Sequence, residues 1–379
     1  MNSSFLPVWT TRAFWNTLTT FSFFGAAMSV FFQESPGGCG DYPQNFEVLY
    51  LGVSIGTFAG LLVGLLAPRF PSLHWAQPVV LTLIRYFLAS ILLSYGFAKV
   101  FYSQFPHMQA NMDARLIELS PMRMAWAFFG YSRGYQMFLG WGEVIPALLL
   151  LFRRTATMGA LAMFVVMLNV FVINIFFDVC VKLNSGLYMV LALHILLNDS
   201  HRLWLAFFTN GSVPARRSPD PIKQRWLRIT GVVINALIVG LILLTNGLQA
   251  YRSFQSLQTR GVSSLLDGAW RVTEMQRWHN QKWQPLTEDD STYLDRVYFE
   301  GSNGILKGPL RRDRFRFSLD EKHKTLALQF TNPQNEWNTP ARQWSFQTSD
   351  KNHLKLTGRC GSDSVQAFCQ LRTEKLSLY

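Results

Sequence analysis

The sequence predicts a polytopic α-helical membrane protein of about seven spans, followed by a small all-β barrel or sandwich domain. Three observations predict it. Residues 1–250 carry 16 Lys+Arg and 9 Asp+Glu, whereas the shorter stretch 251–379 carries 19 and 14. The first part also holds repeated apolar runs long enough for a bilayer core, which needs about 20 residues per helix. Beyond residue 262 the pattern changes to short alternating runs separated by turn residues. Charged residues are only 15 % of the chain and Phe, Trp and Tyr make up another 15 %.

The seven apolar runs are 14–33, 47–67, 78–101, 135–152, 155–177, 184–207 and 226–248. Asn16 and several Thr dilute the first, so a cleaved signal peptide is its rival reading. Loops rich in Lys and Arg stay in the cytoplasm. With the N-terminus inside, the inner flanks carry Arg12, Arg69, Arg153, Arg154, Arg202, Arg216, Arg217, Lys223, Arg225 and Arg228. The outer flanks carry Lys99, Arg115, Arg123, Arg133 and Lys182. This bias predicts a cytoplasmic N-terminus and an extracytoplasmic C-terminal domain in a bacterial-type inner membrane.

That orientation puts Cys39, Cys180, Cys360 and Cys369 on the oxidising side, where disulfides persist. Cys39 and Cys180 both flank outer helix ends and are a candidate bridge. Cys360 and Cys369 are a candidate that strains geometry. If Gly361 to Asp363 turn tightly, Cys369 lies about 15 Å along the next strand, beyond the ~7 Å Cα reach of a bridge. No C-x-x-C is present, so a thioredoxin-type motif is absent.

Ionisable groups inside spans are expensive and draw attention as functional candidates. Glu143 lies beside Gly142 and Pro146, which allow a kink facing a cavity. Glu143, Tyr95, Lys99, Asn174, Asp178 and Lys182 form an expected outer polar layer; Arg85, His194, Asn198 and Asp199 form an inner one. Two readings stand. One is structural pairing, such as Arg85 with Asp199 and Lys99 with Glu143 or Asp178. The other is an outward-opening site in which Glu143, Lys99 and Asp178 carry the chemistry, with Arg85, Tyr95, Asn174 and Lys182 binding. In the outer segment 102–134, Arg115 and Glu118 suit a short amphipathic helix, and Arg123 and Trp126 stand among aromatics. Headgroup anchoring and a lid over the pocket are both open for that segment.

The runs RYFLASILLSYGFAKVF, GWGEVIPALLLLFRRTATMGAL and NVFVINIFFDVCVKLNSGLYMVLALHILLNDSHRLW resemble the DoxX-like membrane protein family, over about residues 78–205. The similarity is greatest to its long members with a SPM-aWaffGYS segment and a FDVPVKL-type motif. Residues matching the pattern are Arg85, Gly96, Lys99, Glu143, Arg153, Asp178 and Lys182; Cys180 stands where proline is expected. The resemblance implies a four-helix bundle core and a redox or quinone-linked setting. No cofactor is fixed by the residues themselves, and a quinone is the one the resemblance implies. Expected partners are membrane lipids and another membrane or periplasmic protein.

In the C-terminal part, strands are expected at 269–275, 293–300, 303–308, 312–319, 324–330, 341–347, 352–358 and 364–372. RDRFRFSL alternates, with Arg312, Arg314 and Arg316 on one face and Phe315 and Phe317 on the other. Gly268 and Trp270 at the first strand resemble a lipocalin-like start. Such a barrel holds either a packed core or one small apolar ligand. Walker A, GxGxxG, H-E-x-x-H and GxSxG motifs are absent. No His pair has metal-ligand spacing beside a carboxylate, so no metal is expected. Nothing points to nucleic acid.

Overall fold

The computed structural model describes residues 11–35, 39–106, 109–209, 212, 225–260, 265–309, 311–332, 337 and 343–372. The basic residues Arg216, Arg217 and Lys223 of the charge argument, and residues 341–342 at the start of the expected strand 341–347, lie outside the described residues. Two compact units form: Met1–Phe105 with Phe128–Phe254, and Pro106–Ala127 with Gln255–Tyr379. Most of the segment between the third and fourth expected spans, residues 106–127, therefore groups with the β unit.

The helices are α1 (Arg12–Ser29), α2 (Pro43–Leu66), α3 (Ala76–Val100), α4 (Gln109–Met112), α5 (Pro121–Tyr131), α6 (Arg133–Leu151), α7 (Ala156–Phe176), α8 (Lys182–Leu197), α9 (Ser200–Phe208) and α10 (Arg225–Arg260). Among the described residues, five stretches are long and apolar enough to cross a membrane: Pro43–Leu66, Pro71–Val100, Arg133–Leu151, Ala156–Phe176 and Ile229–Gln255. The expected single span 184–207 is corrected to α8 and α9, broken at Asn198 and Asp199. Asn198 turns its amide back to the His194 carbonyl at 2.9 Å. Asp199 accepts from Thr157 Oγ1 at 2.6 Å and from Arg202 at 3.0 Å. These bonds hold the two residues in a turn.

α1 and α2 meet along a stripe of glycines. Gly52, Gly56, Gly60 and Gly64 recur every fourth residue, so they line one face of α2. A Cβ on Gly56 would overlap the Phe21 carbonyl oxygen, and one on Gly25 would overlap the Gly52 carbonyl oxygen. Small residues at such spacing let two backbones approach closely, where dispersion contacts rather than water release drive association. Replacing Gly56 with Leu is expected to destabilise the helical unit by about 1–3 kcal/mol through overpacking. Thermal unfolding of the purified full chain reads this; an unchanged midpoint would refute the close crossing.

In the second unit the strands are β1 (Gly268–His279), β2 (Lys282–Pro285), β3 (Arg296–Glu300), β4 (Asn303–Lys307), β5 (Arg312–Asp320), β6 (Thr325–Phe330), β7 (Gln343–Asp350), β8 (His353–Cys360) and β9 (Asp363–Leu371). Their order is β2-β1-β3-β4-β5-β6-β7-β8-β9, with β9 returning to pair with β1. Eight antiparallel strands thus close an up-and-down barrel, which abolishes open sheet edges. β2 is additional: it pairs with the Gln276–His279 end of β1, while β3 takes the Gly268–Arg271 end. Along β5 the burial alternates, with Phe315 and Phe317 inside and Arg314 and Arg316 exposed. The barrel interior is filled by side chains, among them Trp270, Phe299, Phe315, Phe330 and Trp344. These side chains match the packed-core version of the barrel expectation.

Candidate functional site

Two glycines build the site at the α3–α6 crossing. A Cβ on Gly96 would stand 3.0 Å from the Gly140 carbonyl oxygen, and one on Gly140 2.7 Å from the Gly96 carbonyl oxygen. Three residues beyond each glycine stands an ionisable group: Lys99 on α3 and Glu143 on α6. Side chains lean toward the N-terminus of their own helix. Both groups therefore lean back to the level of the glycines. Lys99 Nζ reaches both Glu143 carboxylate oxygens at 2.8 Å. The side chains are 8 % and 4 % exposed, so this pair is desolvated.

The neighbourhood is aromatic and amide-rich. Lys99 Nζ lies 5.9 Å from the ring centres of Tyr95 and of Phe105, within cation–π range. Buried Gln136 faces the Phe105 backbone and, with its amide turned, exchanges two hydrogen bonds of 3.2 Å with it. Phe105 stacks near Phe129, and Phe129 lies parallel to Tyr135. Tyr95 is 40 % exposed. The arrangement combines a desolvated cation and carboxylate with a nearby, half-exposed phenol, groups that can hold and pass protons.

Other expected site residues fall elsewhere. Asp178 pairs with Lys182 at 2.8 Å and its side chain is 82 % exposed, so it does not partner Lys99. It sits just past α7 at φ 49°, where the chain turns. Asn174 is buried, and its Nδ2 has no hydrogen-bond partner. Arg85 does not meet Asp199; its Nε and Nη2 donate to the Leu150 carbonyl at 3.1 and 2.7 Å. A guanidinium there satisfies a carbonyl left open at the end of α6 and complements the helix dipole. In the expected inner layer, His194 is bonded to Thr20 Oγ1 at 3.1 Å and Asn198 at 3.2 Å. Gln77 extends this network to Thr20 and Asn198.

No disulfide joins Cys39 to Cys180 or Cys360 to Cys369 in the structure. Cys39 Sγ instead donates to the Cys180 carbonyl at 3.4 Å, which also accepts from Gly40 and Asp41 N–H groups. Asp41 in turn accepts from the Lys182 and Leu183 N–H groups, capping α8 from a distant loop. Burial and the Cys39 thiol push the Cys180 thiol up to about 11. In the barrel, Cys360 pairs across the hairpin with Asp363, and Cys369 with Leu354. The turn is tight, with Gly361 at φ +59°, so the two cysteines stand far apart along the strands. Burial pushes Cys369 up to about 12.

Arg123 and Trp126 belong to the unit that contains the barrel, and not to the helical site. In that unit, the expected Arg115–Glu118 helix is a single 3-10 turn, Leu116–Glu118, and Glu118 pairs with Lys307 at 3.1 Å. Asp113 accepts from Tyr298 Oη at 2.6 Å, from Arg372 at 2.8 Å and from Arg296. Arg312 donates to Asn111 Oδ1 at 2.9 Å. Ala110 packs with Ala269, Tyr298 and Ile305 on the outer wall. Sequence reasoning missed this docking, because its partners lie about 180 to 260 positions away in the chain. It also missed a local signal at the helical site: GFAKV (Gly96–Val100) and GWGEV (Gly140–Val144) share a glycine, aromatic, small, charged, valine pattern.

The chain is 36 % identical over 133 residues to a protein of Bacillus subtilis (strain 168) described as uncharacterized protein YwoB. That alignment takes in 84 % of YwoB and 35 % of this chain. The chain belongs to the YwoB family. YwoB's own description names no substrate or partner, so the family contributes shared ancestry and no chemistry. No family profile matches the chain, and no solved structure matches it.

Proposed function

We propose that this YwoB-family chain is a DoxX-like integral membrane protein and a component of a redox or quinone-linked system. Its pocket opens to the non-cytoplasmic side, and Lys99 and Glu143 handle protons there. The observation that carries this reading is the desolvated Lys99–Glu143 pair at the glycine crossing. A quinone headgroup exchanges protons as it changes redox state. A buried ammonium–carboxylate pair can supply and accept them without bulk water. Tyr95 and Phe105 give a headgroup two aromatic rings beside the ammonium. Quinone would supply the redox chemistry; the chain's residues bind, orient and protonate. Asp178 and Lys182 are the candidate entrance pair.

The docked segment supports the orientation. Asp113 and its partners on β3 and just past β9 keep residues 109–118 on the barrel wall. The segment and the barrel therefore share one side of any membrane, and the chain between them crosses an even number of times. Four crossings, by α6, α7, α8 and α10, meet that condition. α8 has 16 residues, or about 24 Å at 1.5 Å per residue, enough to cross with modest thinning. The bias of basic residues then assigns the shared side to the extracytoplasmic face.

The test is chemical analysis of quinones in the purified full chain, with Glu143→Gln expected to lose them. Lys99→Met/Glu143→Met removes both charges together and serves as a folded control that also lacks quinone. Wild-type protein free of quinone, in a preparation from quinone-containing membranes, would sink the proposal. A second reading is a non-enzymatic scaffold that binds a partner protein or lipid through the barrel. It is favoured by the clustering of Arg312, Arg314 and Arg123: burial and mutual repulsion lower the first two below the usual guanidinium value. A co-purifying partner that depends on residues 262–379, without a redox cofactor, would favour it.

A further inference from the structure

A cavity of about 360 Å³ opens between α3, α10 and the turn after α6. Two polar bridges join α10 to α3 beside it. Tyr86 Oη donates to Asn235 Oδ1, and Asn246 Nδ2 donates to Ser90 Oγ at 3.3 Å. Asn235 and Asn246 are eleven positions apart, about three helical turns, so they share a face of α10. The rest of α10's apolar stretch is almost wholly exposed: Ile234, Leu237, Leu241 and Leu244 all face outward. A helix with this surface lies against lipid if it spans.

The cavity is two-ended in chemistry. Val79, Leu83, Ile234 and Ile238 give it apolar walls. Arg85 and Arg153 give it two guanidiniums. Arg85 is buried in the wall, and its Nε and Nη2 donate to the Leu150 carbonyl. Arg153 follows the last turn of α6, and Trp75 stands before α3, in the manner of residues at headgroup level. Basic pockets between helices at the cytoplasmic face suit anionic headgroups, with acyl chains lying along adjoining apolar grooves.

From this charge complementarity we propose that the α3–α10 groove is a binding site for one anionic phospholipid. Its phosphate faces Arg153 and Arg85, and an acyl chain runs along Ile234 and Ile238. The site is separate from the Lys99–Glu143 pair. It rests on the membrane reading of the helices but not on quinone chemistry.

The full chain, purified in neutral detergent, is examined by native mass spectrometry with phosphatidylglycerol, phosphatidylcholine or soluble glycerol 3-phosphate added. Phosphatidylglycerol is expected to be retained at least about tenfold more than phosphatidylcholine, with no retention of glycerol 3-phosphate. Arg153→Gln should abolish that preference, whereas Arg154→Gln, outside the lining, should keep it. Ile238→Trp fills the groove without touching a charge and should lower phosphatidylglycerol retention by a similar factor. Equal retention of the two lipids, an unaffected Arg153→Gln variant, or glycerol 3-phosphate held as well as the lipid would each overturn the proposal. Resistance of the protein to carbonate extraction from membranes checks the membrane reading separately.

Discussion

Glu143→Gln is expected to destabilise the helical unit by about 3–5 kcal/mol, the cost of leaving one partner of a buried ion pair uncompensated. Lys99→Met is expected to cost a similar amount. Both side chains are almost fully buried, and both carboxylate oxygens are held by one ammonium, so solvent cannot rescue the survivor. The Tyr95 and Phe105 rings soften the loss of Glu143 but not that of Lys99, because a ring face attracts only the cation. The double replacement by Met should recover most of the stability, since removing two charges together also removes their desolvation cost. A double-mutant cycle on thermal unfolding of the full chain reads the coupling. Additive single and double effects would show that the pair is not coupled. The cycle also separates roles: a structural pair is dispensable once replaced by Met, whereas a proton-handling pair is not.

The helical stretches were legible because lipid-length apolar runs are a property of composition, and the barrel strands because inward and outward residues alternate. What failed was set by partners remote in sequence. The α8–α9 break is held by Asp199 meeting Thr157 on another helix, although the polar run Asn198 to Arg202 already marks its place in the sequence. β2 escaped notice because all four of its residues are exposed and show no alternation. At the candidate site, Lys99 and Glu143 were legible as expensive intramembrane groups, but their pairing was only one of two options. The choice over Asp178 came from the glycine crossing, which fixes the levels of α3 and α6 while Asp178 turns out past the end of α7. The glycine stripe on α2 was readable from its four-residue spacing alone.

Replacing Asp113 with Asn is expected to loosen residues 109–118 from the barrel wall by about 2–3 kcal/mol, since hydrogen bonds to a charged group contribute about 1.5–3 kcal/mol each. Two of its three donors, Arg296 and Arg372, are 32 % and 30 % exposed, so water screens them and the three bonds do not sum. At about 1.4 kcal/mol per tenfold, amide exchange across residues 109–113 in the full chain should quicken by roughly 30- to 150-fold. Exchange in α7 serves as the internal reference. An unchanged rate would mean that Ala110 packing and the Arg312 bonds hold the segment without Asp113. The pH dependence gives an independent reading. Burial raises the Asp113 carboxyl, but the hydrogen bonds from Tyr298 and Arg296 and the neighbouring guanidiniums outweigh it, so the group sits below its ordinary value. A depressed carboxylate stabilises the folded state above its unfolded value of about 4 and loses that contribution as pH falls through the lower folded value. Slow exchange in the wild type should therefore persist down to about pH 4 and fail only below it. In Asp113→Asn the acid-dependent step should vanish, because an amide does not titrate. Glu300, which accepts the Gln109 N–H, is pushed upward by burial. It loses its charge at a higher pH than Asp113, so a step near or above pH 4.5 that survives in Asp113→Asn would belong to Glu300 and not to the latch carboxylate.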